Sequence, residues 1–185
     1  MEIIFIRHGE PDYSQPDKRG FIGHGRDLAP LTKLGIRQAE EASKSPMISG
    51  SRLILSSPYT RALQTAAIIS KNNGLDLIVE TDLHELIPDK TFMVKGQEES
   101  DALFSDFVSC FGVYPDGEKK KWETIDEIIN RTKAVFAGYY AAGHENIVAV
   151  THGGVIRRYT GIRKIEHGEV NKVTFNPKFK CYAWC

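Results

Sequence analysis

Two short apolar runs, each followed by a histidine, constrain the fold of this chain more than any other feature. Residues 3–6 (IIFI) lead into Arg7 and His8, and residues 147–150 (IVAV) lead to His152. Neither run alternates between apolar and polar residues, which is typical of central strands covered on both faces. Because ligands of open α/β sheets bind beyond the carboxyl ends of the strands, we expect both histidines to face one ligand.

Strand and helix patterns alternate along the rest of the chain. Short apolar segments predict strands at residues 2–6, 52–56, 76–80 and 146–151. Apolar spacings of three and four predict helices near residues 32–45, 58–72, 98–110 and 122–142. This alternation predicts a layered α/β fold.

Local signals refine the ends of these elements. Thr32 and Ser57 are predicted to cap the amino ends of helices, and Pro58 suits a first helical turn. Residues 169–175 and 179–184 are predicted to form a hairpin that closes a sheet edge.

The length of 185 residues predicts one domain, residues 1–185. We expect the irregular segments near residues 11–30 and 86–120 to cover the substrate, because functional loops follow strand ends. Lysine and arginine (24) balance aspartate and glutamate (24), so no net field recruits nucleic acid or an anionic membrane, and the expected substrate is small.

The chain is expected to be cytoplasmic. Its start has no basic segment, and its first apolar run is too short for a signal sequence or a membrane span. Cys110, Cys181 and Cys185 form neither an even set nor a CxxC pair, which fits reduced thiols.

A further strand end supplies a second arginine. Residues 55–66 (LSSPYTRALQTA) place Arg61 in the first turn of a predicted helix. A guanidinium binds phosphate through two parallel hydrogen bonds and stays charged at any working pH, so Arg7 and Arg61 are predicted to clamp a phosphoryl group. Gly153 and Gly154 allow the backbone at the start of another helix to approach the same anion.

The two histidines can share the chemistry. A neutral imidazole attacks phosphorus through one nitrogen when a backbone acceptor holds the proton of the other. We assign attack to His8, beside the Arg7 clamp, and stabilisation of the phosphoryl oxygens to His152. The leaving alkoxide then needs a proton and the later water must lose one, so one carboxylic acid can serve both steps. Glu85, after the strand at 76–80, is the predicted acid.

Other residues compete for roles at this site. The carboxylates that compete with Glu85 are Glu10, Asp12, Asp27, Glu80 and Asp82. Residues that either line a leaving-group pocket or only pack their loops are Tyr13, Phe21, His24 and Phe92. His84 either touches the phosphate or flanks the acid, Arg7 has Glu10 as an alternative partner, and His144 and His167 are predicted to be exposed. No histidine and carboxylate cluster has metal-ligand spacing, so no metal is expected.

Four ordered motifs resemble those of the histidine phosphatase superfamily, the phosphoglycerate mutase-like branch 1 family. They are Arg7-His8-Gly9-Glu10, residues 31–39 (LTKLGIRQA), residues 56–66 (SSPYTRALQTA) and Thr151-His152-Gly153-Gly154. The resemblance implies a three-layer α/β/α sandwich with a mostly parallel sheet, and a metal-independent phosphomonoesterase without cofactors. It further implies that His8 is phosphorylated, that Arg7, Arg61 and His152 bind the phosphoryl group, and that Glu85 donates the proton.

The chain also departs from the mutase-type members. Pro11 follows Glu10 where their motif has threonine, and residues 86–92 (LIPDKTF) lack their glycine-rich pattern. The region of their substrate-covering insertion is shorter here, and a shorter cover admits water, which favours hydrolysis. Two alternatives stay open: a phosphoglycerate mutase-type phosphoryl transferase and a non-catalytic module that binds a phosphorylated ligand. The sequence identifies neither the leaving group nor the oligomeric state.

Overall fold

The two histidine-terminated runs form neighbouring central strands. The computed structural model, which describes residues 1–184, pairs β1 (Glu2–Arg7) with β4 (Asn146–Thr151) in parallel. Arg7 and Thr151 are partners in register, so both strands end at the same level. His8 and His152 therefore follow at one edge of the sheet, as predicted.

Three further strands complete the sheet: β2 (Leu53–Ser56), β3 (Asp76–Val79) and β5 (Val170–Thr174). The strand order is β3-β2-β4-β1-β5. β2 is parallel to both β3 and β4, whereas β5 is antiparallel to β1. The predicted, mostly parallel sheet is thus confirmed.

Helices cover both faces of this sheet. They are α1 (Ser14–Lys18), α2 (Lys33–Ala42), α3 (Thr60–Asn73), α4 (Gln97–Ser109), α5 (Ile125–Ala141) and α6 (Gly153–Thr160). Successive strand residues point to opposite faces. Ile3 and Phe5 join the apolar cluster of α5 and α6, whereas Ile4 and Ile6 join that of α2 and α3. The three-layer α/β/α sandwich is therefore confirmed.

The segments expected to be irregular contain some short helices. Between β1 and α2, the chain forms α1 and a 3-10 helix at Gly23–Leu28. Two more 3-10 helices lie at Pro46–Ile48 and Thr81–Leu83. The expected cover of residues 86–120 consists of an irregular stretch and α4, which packs through Phe107 on Trp122.

One predicted cap is right and another is wrong. Thr32 caps α2, because its hydroxyl accepts a hydrogen bond from the Gly35 amide at 2.9 Å. The cap of α3 is Tyr59, and the helix begins at Thr60, so Ser57 and Pro58 precede it. The Ser57 hydroxyl lies 2.7 Å from a ring nitrogen of His152 and serves the site instead.

The predicted carboxyl-terminal hairpin is wrong. β5 ends at Thr174, and the segment 179–184 forms no strand; it runs along α6, where the Tyr182 amide donates to the Arg158 carbonyl at 2.7 Å. The Phe179 ring stacks on Tyr159 with centroids 5.8 Å apart, and this aromatic packing draws the tail onto the helices.

Two observations concern membrane-spanning helices and the predicted reduced thiols. Cys110 and Cys181 carry free thiols, and Cys185 lies outside the described residues. No helix within residues 1–184 is long and apolar enough to cross a membrane.

Candidate active site

The ring of His8 has one nitrogen available for chemistry. Its Nδ1 lies 2.7 Å from the Gly9 carbonyl oxygen, and a carbonyl only accepts, so Nδ1 carries the proton. The lone pair of Nε2 then accepts from Nε of Arg61 at 3.3 Å. Burial, followed by the charge of Arg61, lowers the pKa of His8 well below its usual value. The ring is therefore a neutral base, the form that nucleophilic attack requires.

A serine hydroxyl contacts His152. The Ser57 hydroxyl accepts from the Tyr59 amide at 3.3 Å and lies 2.7 Å from Nε2 of His152. Burial lowers the pKa of His152 well below its usual value, so the ring is neutral, and when the Ser57 hydroxyl donates to Nε2 the ring proton resides on Nδ1. Nδ1 is buried and has no hydrogen-bond partner in residues 1–184. In that tautomer Nδ1 is a donor without an acceptor.

Arg7 presents a second such donor. Its Nη1 donates to the Ile165 carbonyl at 2.6 Å, whereas its Nε is buried and has no hydrogen-bond partner within residues 1–184. The alternative partner Glu10 instead accepts from the Thr32 hydroxyl at 2.6 Å. A buried donor without an acceptor is costly, and an oxygen of a ligand would satisfy Nε of Arg7.

Arg61 is buried and engaged on both sides. Besides its contact with His8, its Nη1 donates to Asp27 at 3.0 Å. The second Asp27 oxygen lies 3.0 Å from Nδ1 of His24. The guanidinium also lies over the Tyr59 ring, 5.0 Å from its centroid. From the sequence, Asp27 is predicted only as a competing acid, because no local pattern connects residues 34 positions apart.

Two backbone amides hold the Glu85 carboxylate. Its Oε1 accepts from the Leu86 amide at 3.0 Å, and its Oε2 accepts from the Gly154 amide at 3.2 Å. A methyl group at Gly154 would overlap this carboxylate, so only glycine permits the approach. Each oxygen keeps a second lone-pair direction that can exchange a proton with a ligand.

A buried ion pair supports the segment that carries Glu85. Arg131 pairs with Glu123 at 2.5 Å and also donates to the Asp82 carbonyl and, at 3.4 Å, to that of Glu85. Arg131 in α5 and Glu123, just before the cap of that helix, belong to no motif, so the sequence does not predict their pairing. The pair positions the backbone on either side of His84.

The other predicted ligands of the phosphate lie beside these groups. Gly153 begins α6, and a Cβ placed on it would lie 3.7 Å from Nε of Arg7. Nδ1 of His84 donates to the Glu85 carbonyl at 2.7 Å, and its ring centroid is 6.3 Å from that of Tyr59. Burial lowers the pKa of His84, so this ring too is held neutral.

The remaining competing carboxylates have partners elsewhere. Glu80 accepts from the Tyr139 hydroxyl at 2.6 Å, and Asp12 accepts from the Ser14 amide at 2.9 Å. Asp82 takes part through its carbonyl, which accepts from Arg131. Of the five competitors, Asp27 shares a cavity wall with Glu85.

One histidine is placed differently from the prediction. His167 is half-buried, and its ring centroid lies 5.3 Å from that of His8. The Gly168 amide donates to the Arg7 carbonyl at 3.0 Å, and this bond folds the preceding turn over the end of β1. His144 is exposed, as predicted. Across residues 1–184 no group of three or more His, Cys, Asp or Glu could hold a metal ion.

A cavity of about 570 Å³ opens over Arg61 and Glu85. Tyr13, His24 and Phe92 line this cavity. Phe21 is not among the lining residues and is 39% exposed. The site thus combines a neutral imidazole nitrogen, two arginines, a carboxylate and two buried nitrogens, Nε of Arg7 and Nδ1 of His152, that have no hydrogen-bond partner in the described part of the chain.

Comparisons with known proteins identify the family of this chain. A family model described as the histidine phosphatase superfamily (branch 1) matches residues 3–175. A 2,3-bisphosphoglycerate-dependent phosphoglycerate mutase of Thermoplasma acidophilum is 31% identical over 155 residues, which is 83% of this chain and 72% of the mutase. The uncharacterized phosphatase PhoE of Bacillus subtilis is 26% identical over 155 residues, with 83% and 72% covered. A mycobacterial glucosyl-3-phosphoglycerate phosphatase, solved with VO3, superposes with a TM-score of 0.70 at 20% identity and covers 97% of this chain and 94% of that one.

Proposed function

This chain belongs to branch 1 of the histidine phosphatase superfamily, and from that membership we propose that it hydrolyses a small phosphorylated substrate through a phosphohistidine on His8. As a member it is a phosphatase, an enzyme that hydrolyses phosphoric monoesters. Two buried nitrogens without hydrogen-bond partners in residues 1–184, Nε of Arg7 and Nδ1 of His152, carry the proposal. Arg7 directly precedes the neutral His8, and the His152 ring centroid lies 5.0 Å from that of His8, so both nitrogens are proposed to donate to the oxygens of a phosphoryl group.

In the first step, Nε2 of His8 attacks phosphorus. Arg61 gives up its contact with Nε2 and, together with Arg7, donates to the phosphoryl oxygens instead. The bond from Nε2 to phosphorus forms as the ester bond to the leaving oxygen breaks. Glu85 in its protonated form gives its proton to that oxygen, and the alcohol departs.

In the second step, water takes the place of the alcohol. The Glu85 carboxylate removes a proton from the water, whose oxygen attacks phosphorus and releases Nε2 of His8. Inorganic phosphate leaves, and both His8 and Glu85 return to their starting states. The Gly9 carbonyl holds the proton of Nδ1 throughout, which keeps the attacking nitrogen on the phosphoryl side.

Gly153 and His84 are proposed to assist phosphate binding. Gly153 lies beside Arg7 at the amino end of α6, where backbone amides and the helix dipole favour an anion. His84 donates from Nδ1 to the Glu85 carbonyl, which leaves its Nε2 to accept a proton-bearing group of the substrate.

We further propose that the reaction is metal-independent, that the chain acts as one domain, and that it works in the cytoplasm. Arg7 and Arg61 supply the positive charge and His8 the nucleophile, which are the roles that a metal ion fills in other phosphatases. Every strand of residues 1–184 joins a single sheet, which supports one domain. The free thiols of Cys110 and Cys181 fit a reducing compartment.

A mutase activity is the second candidate, because the Thermoplasma relative carries that name. A mutase returns the phosphoryl group to a bound intermediate, whereas a phosphatase gives it to water. Incubation with 3-phosphoglycerate and 2,3-bisphosphoglycerate separates them: a mutase yields 2-phosphoglycerate with little inorganic phosphate, and the proposed phosphatase does not.

The test of the proposed function is hydrolysis of 4-nitrophenyl phosphate. Activity should resist a chelator, fall with vanadate and disappear in His8→Ala. In a second measurement the enzyme is incubated with ³²P-labelled substrate and quenched in alkali, which preserves phosphohistidine, and the wild-type protein should carry the label. Exposed His144→Ala is the matched control and should keep full activity and label. Activity in His8→Ala would refute the mechanism, and binding of phosphate without any hydrolysis would identify a non-catalytic module.

A further inference from the structure

Two cavities meet at Glu85. The first lies over Arg61, and a second of about 470 Å³ lies on the side of α4 and α6. Glu85, Leu86, Pro88 and Ser100 line both cavities. Because two backbone amides fix the Glu85 carboxylate in the shared wall, a leaving oxygen at that carboxylate has access to either cavity.

The second cavity has mainly apolar walls. Its apolar lining residues are Leu86, Phe104, Phe107, Val108, Phe111, Ile125 and Ile128. Phe104 is 52% exposed and Phe111 is 75% exposed, so large aromatic surfaces at this cavity remain in contact with water. A concentration of exposed apolar side chains in a cavity beside an active site is typical of a ligand-binding surface.

The backbone at Phe111 is unusual as well. This residue has a φ of +53°, in the left-handed region that bulky residues rarely adopt. It directly follows the cap residue of α4, and its amide still donates to the Val108 carbonyl at 3.0 Å. The chain thus accepts a disfavoured conformation that places an aromatic ring at the cavity instead of in the core.

The charged side chains of the first cavity already have hydrogen-bond partners. Asp27 contacts both Arg61 and His24, and Arg26 contacts Asp17 at 3.5 Å and Gln97. A polar leaving group would have to replace these bonds one for one. An apolar leaving group in the second cavity displaces only water from exposed aromatic surface, which is favourable in itself.

Charged residues of the second cavity would orient a bound substrate. The charged residues that line it are Glu85, Asp101, Arg157 and Arg158, and Nε of Arg157 donates to the Gly153 carbonyl at 3.1 Å. Gly153 also adjoins Arg7, so Arg157 adds positive charge where the cavity meets the phosphoryl site. A phosphoryl group is favoured at this junction, and an apolar chain attached to it would extend outward between Phe104 and Phe111.

We propose that this apolar cavity binds the hydrocarbon part of the leaving group, so that the substrate is a phosphomonoester of an apolar alcohol. The proposal rests on the phosphatase function proposed above and adds the substrate class. A polar sugar or an amino acid as leaving group would leave the aromatic walls in water.

The test is a series of n-alkyl phosphates from ethyl to octyl, since the chemistry of the leaving oxygen is nearly constant along it. We expect kcat/KM to rise about twofold to fourfold for each added methylene until the cavity is filled. Phe104→Ala and Phe111→Ala should each lower the octyl-to-ethyl ratio of kcat/KM by about tenfold. Tyr140→Ala, which removes a 41% exposed aromatic ring from the last turn of α5, should leave the ratio unchanged.

Three results would overturn the proposal. One is an octyl-to-ethyl ratio of kcat/KM near one in the wild type, with measurable activity on ethyl phosphate. This result would leave the phosphatase function intact. Another is a high ratio that neither phenylalanine variant changes. The last is a dimer in sedimentation velocity that Phe111→Ala dissociates, which would assign the surface to a second copy of the chain. Failure to hydrolyse even 4-nitrophenyl phosphate would instead refute the proposed function on which this inference rests.

Discussion

Nη1 of Arg61 donates a hydrogen bond to the Asp27 carboxylate at 3.0 Å, while Nε of the same guanidinium donates to Nε2 of His8 at 3.3 Å. One arginine thus connects the proposed nucleophile with an acidic residue of the covering loop. A phosphoryl oxygen would bind the same guanidinium, so both contacts compete with it. The aspartate is an anion at the place where another anion is expected.

Asp27→Asn should therefore strengthen the binding of phosphate-like anions. Asparagine keeps an oxygen that can accept from Arg61 but removes the negative charge, and we expect the inhibition constant of vanadate to fall about fivefold. Asp12→Asn, in the same loop but hydrogen-bonded to Ser14, should have no effect on it. Weaker vanadate binding in Asp27→Asn would mean that the carboxylate positions Arg61 for the ligand and does not compete with it.

Gly154→Ala should impair proton donation by Glu85. The added methyl group overlaps the carboxylate, which must leave its amide partners. We expect kcat to fall about 100-fold on an alkyl phosphate, close to the effect of Glu85→Gln, and less on 4-nitrophenyl phosphate, whose leaving group needs no proton. Gly138→Ala, where a Cβ meets no atom within 4 Å, is the control and should keep its rate. Equal losses on both substrates would argue against an acid role for Glu85.

Arg131→Met should lower the free energy of unfolding by about 3–5 kcal/mol, because it leaves the buried Glu123 carboxylate without its partner. The double variant Arg131→Met with Glu123→Met should recover much of this loss. Urea unfolding measures both. The exposed pair of Lys44 and Glu41 provides a comparison, and Lys44→Met should cause no measurable change. A double variant as unstable as the single one would show that the contacts of Arg131 with the Asp82 and Glu85 carbonyls matter more than the ion pair.

Acid should destabilise the fold through its buried histidines. Burial lowers the pKa of His8 and of His152, so the native state binds their protons only at lower pH than the unfolded chain does. Their stabilisation is therefore fully present above about pH 6.5 and declines as the pH falls below it, by up to about 1.4 kcal/mol per pH unit for each ring. Urea unfolding between pH 7.5 and 5 should show a shallower decline in His8→Asn than in the wild type, whereas His144→Ala should match the wild type.

Much of the site could be inferred from the sequence, because it depends on strand ends. The apolar runs before His8 and before His152 predict central strands, and parallel neighbours end at one edge of a sheet. Arg61 follows the same logic, since it lies in the first turn after β2. Glu85 needed the family resemblance in addition, because several carboxylates follow strands equally well.

Contacts between distant segments could not be inferred in the same way. The pairing of Ser57 with His152, of Asp27 with Arg61, and the approach of His167 to His8 all depend on where loops cross the sheet edge. Ser57 satisfies the local rule for a helix cap, yet its hydroxyl is used by a histidine 95 positions away.

By itself, the sequence determined the layered sheet, the two histidines at one edge and the arginines beside them, because apolar periodicity and strand ends are local properties. The tertiary structure alone decided which nitrogens of Arg7 and His152 lack a hydrogen-bond partner in residues 1–184 and which carboxylate accepts from Arg61. It also decided that the carboxyl-terminal segment packs on α6. Such contacts follow from the packing free energy of the whole chain, in which a stack such as that of Phe179 on Tyr159 outweighs the strand preference of a short segment.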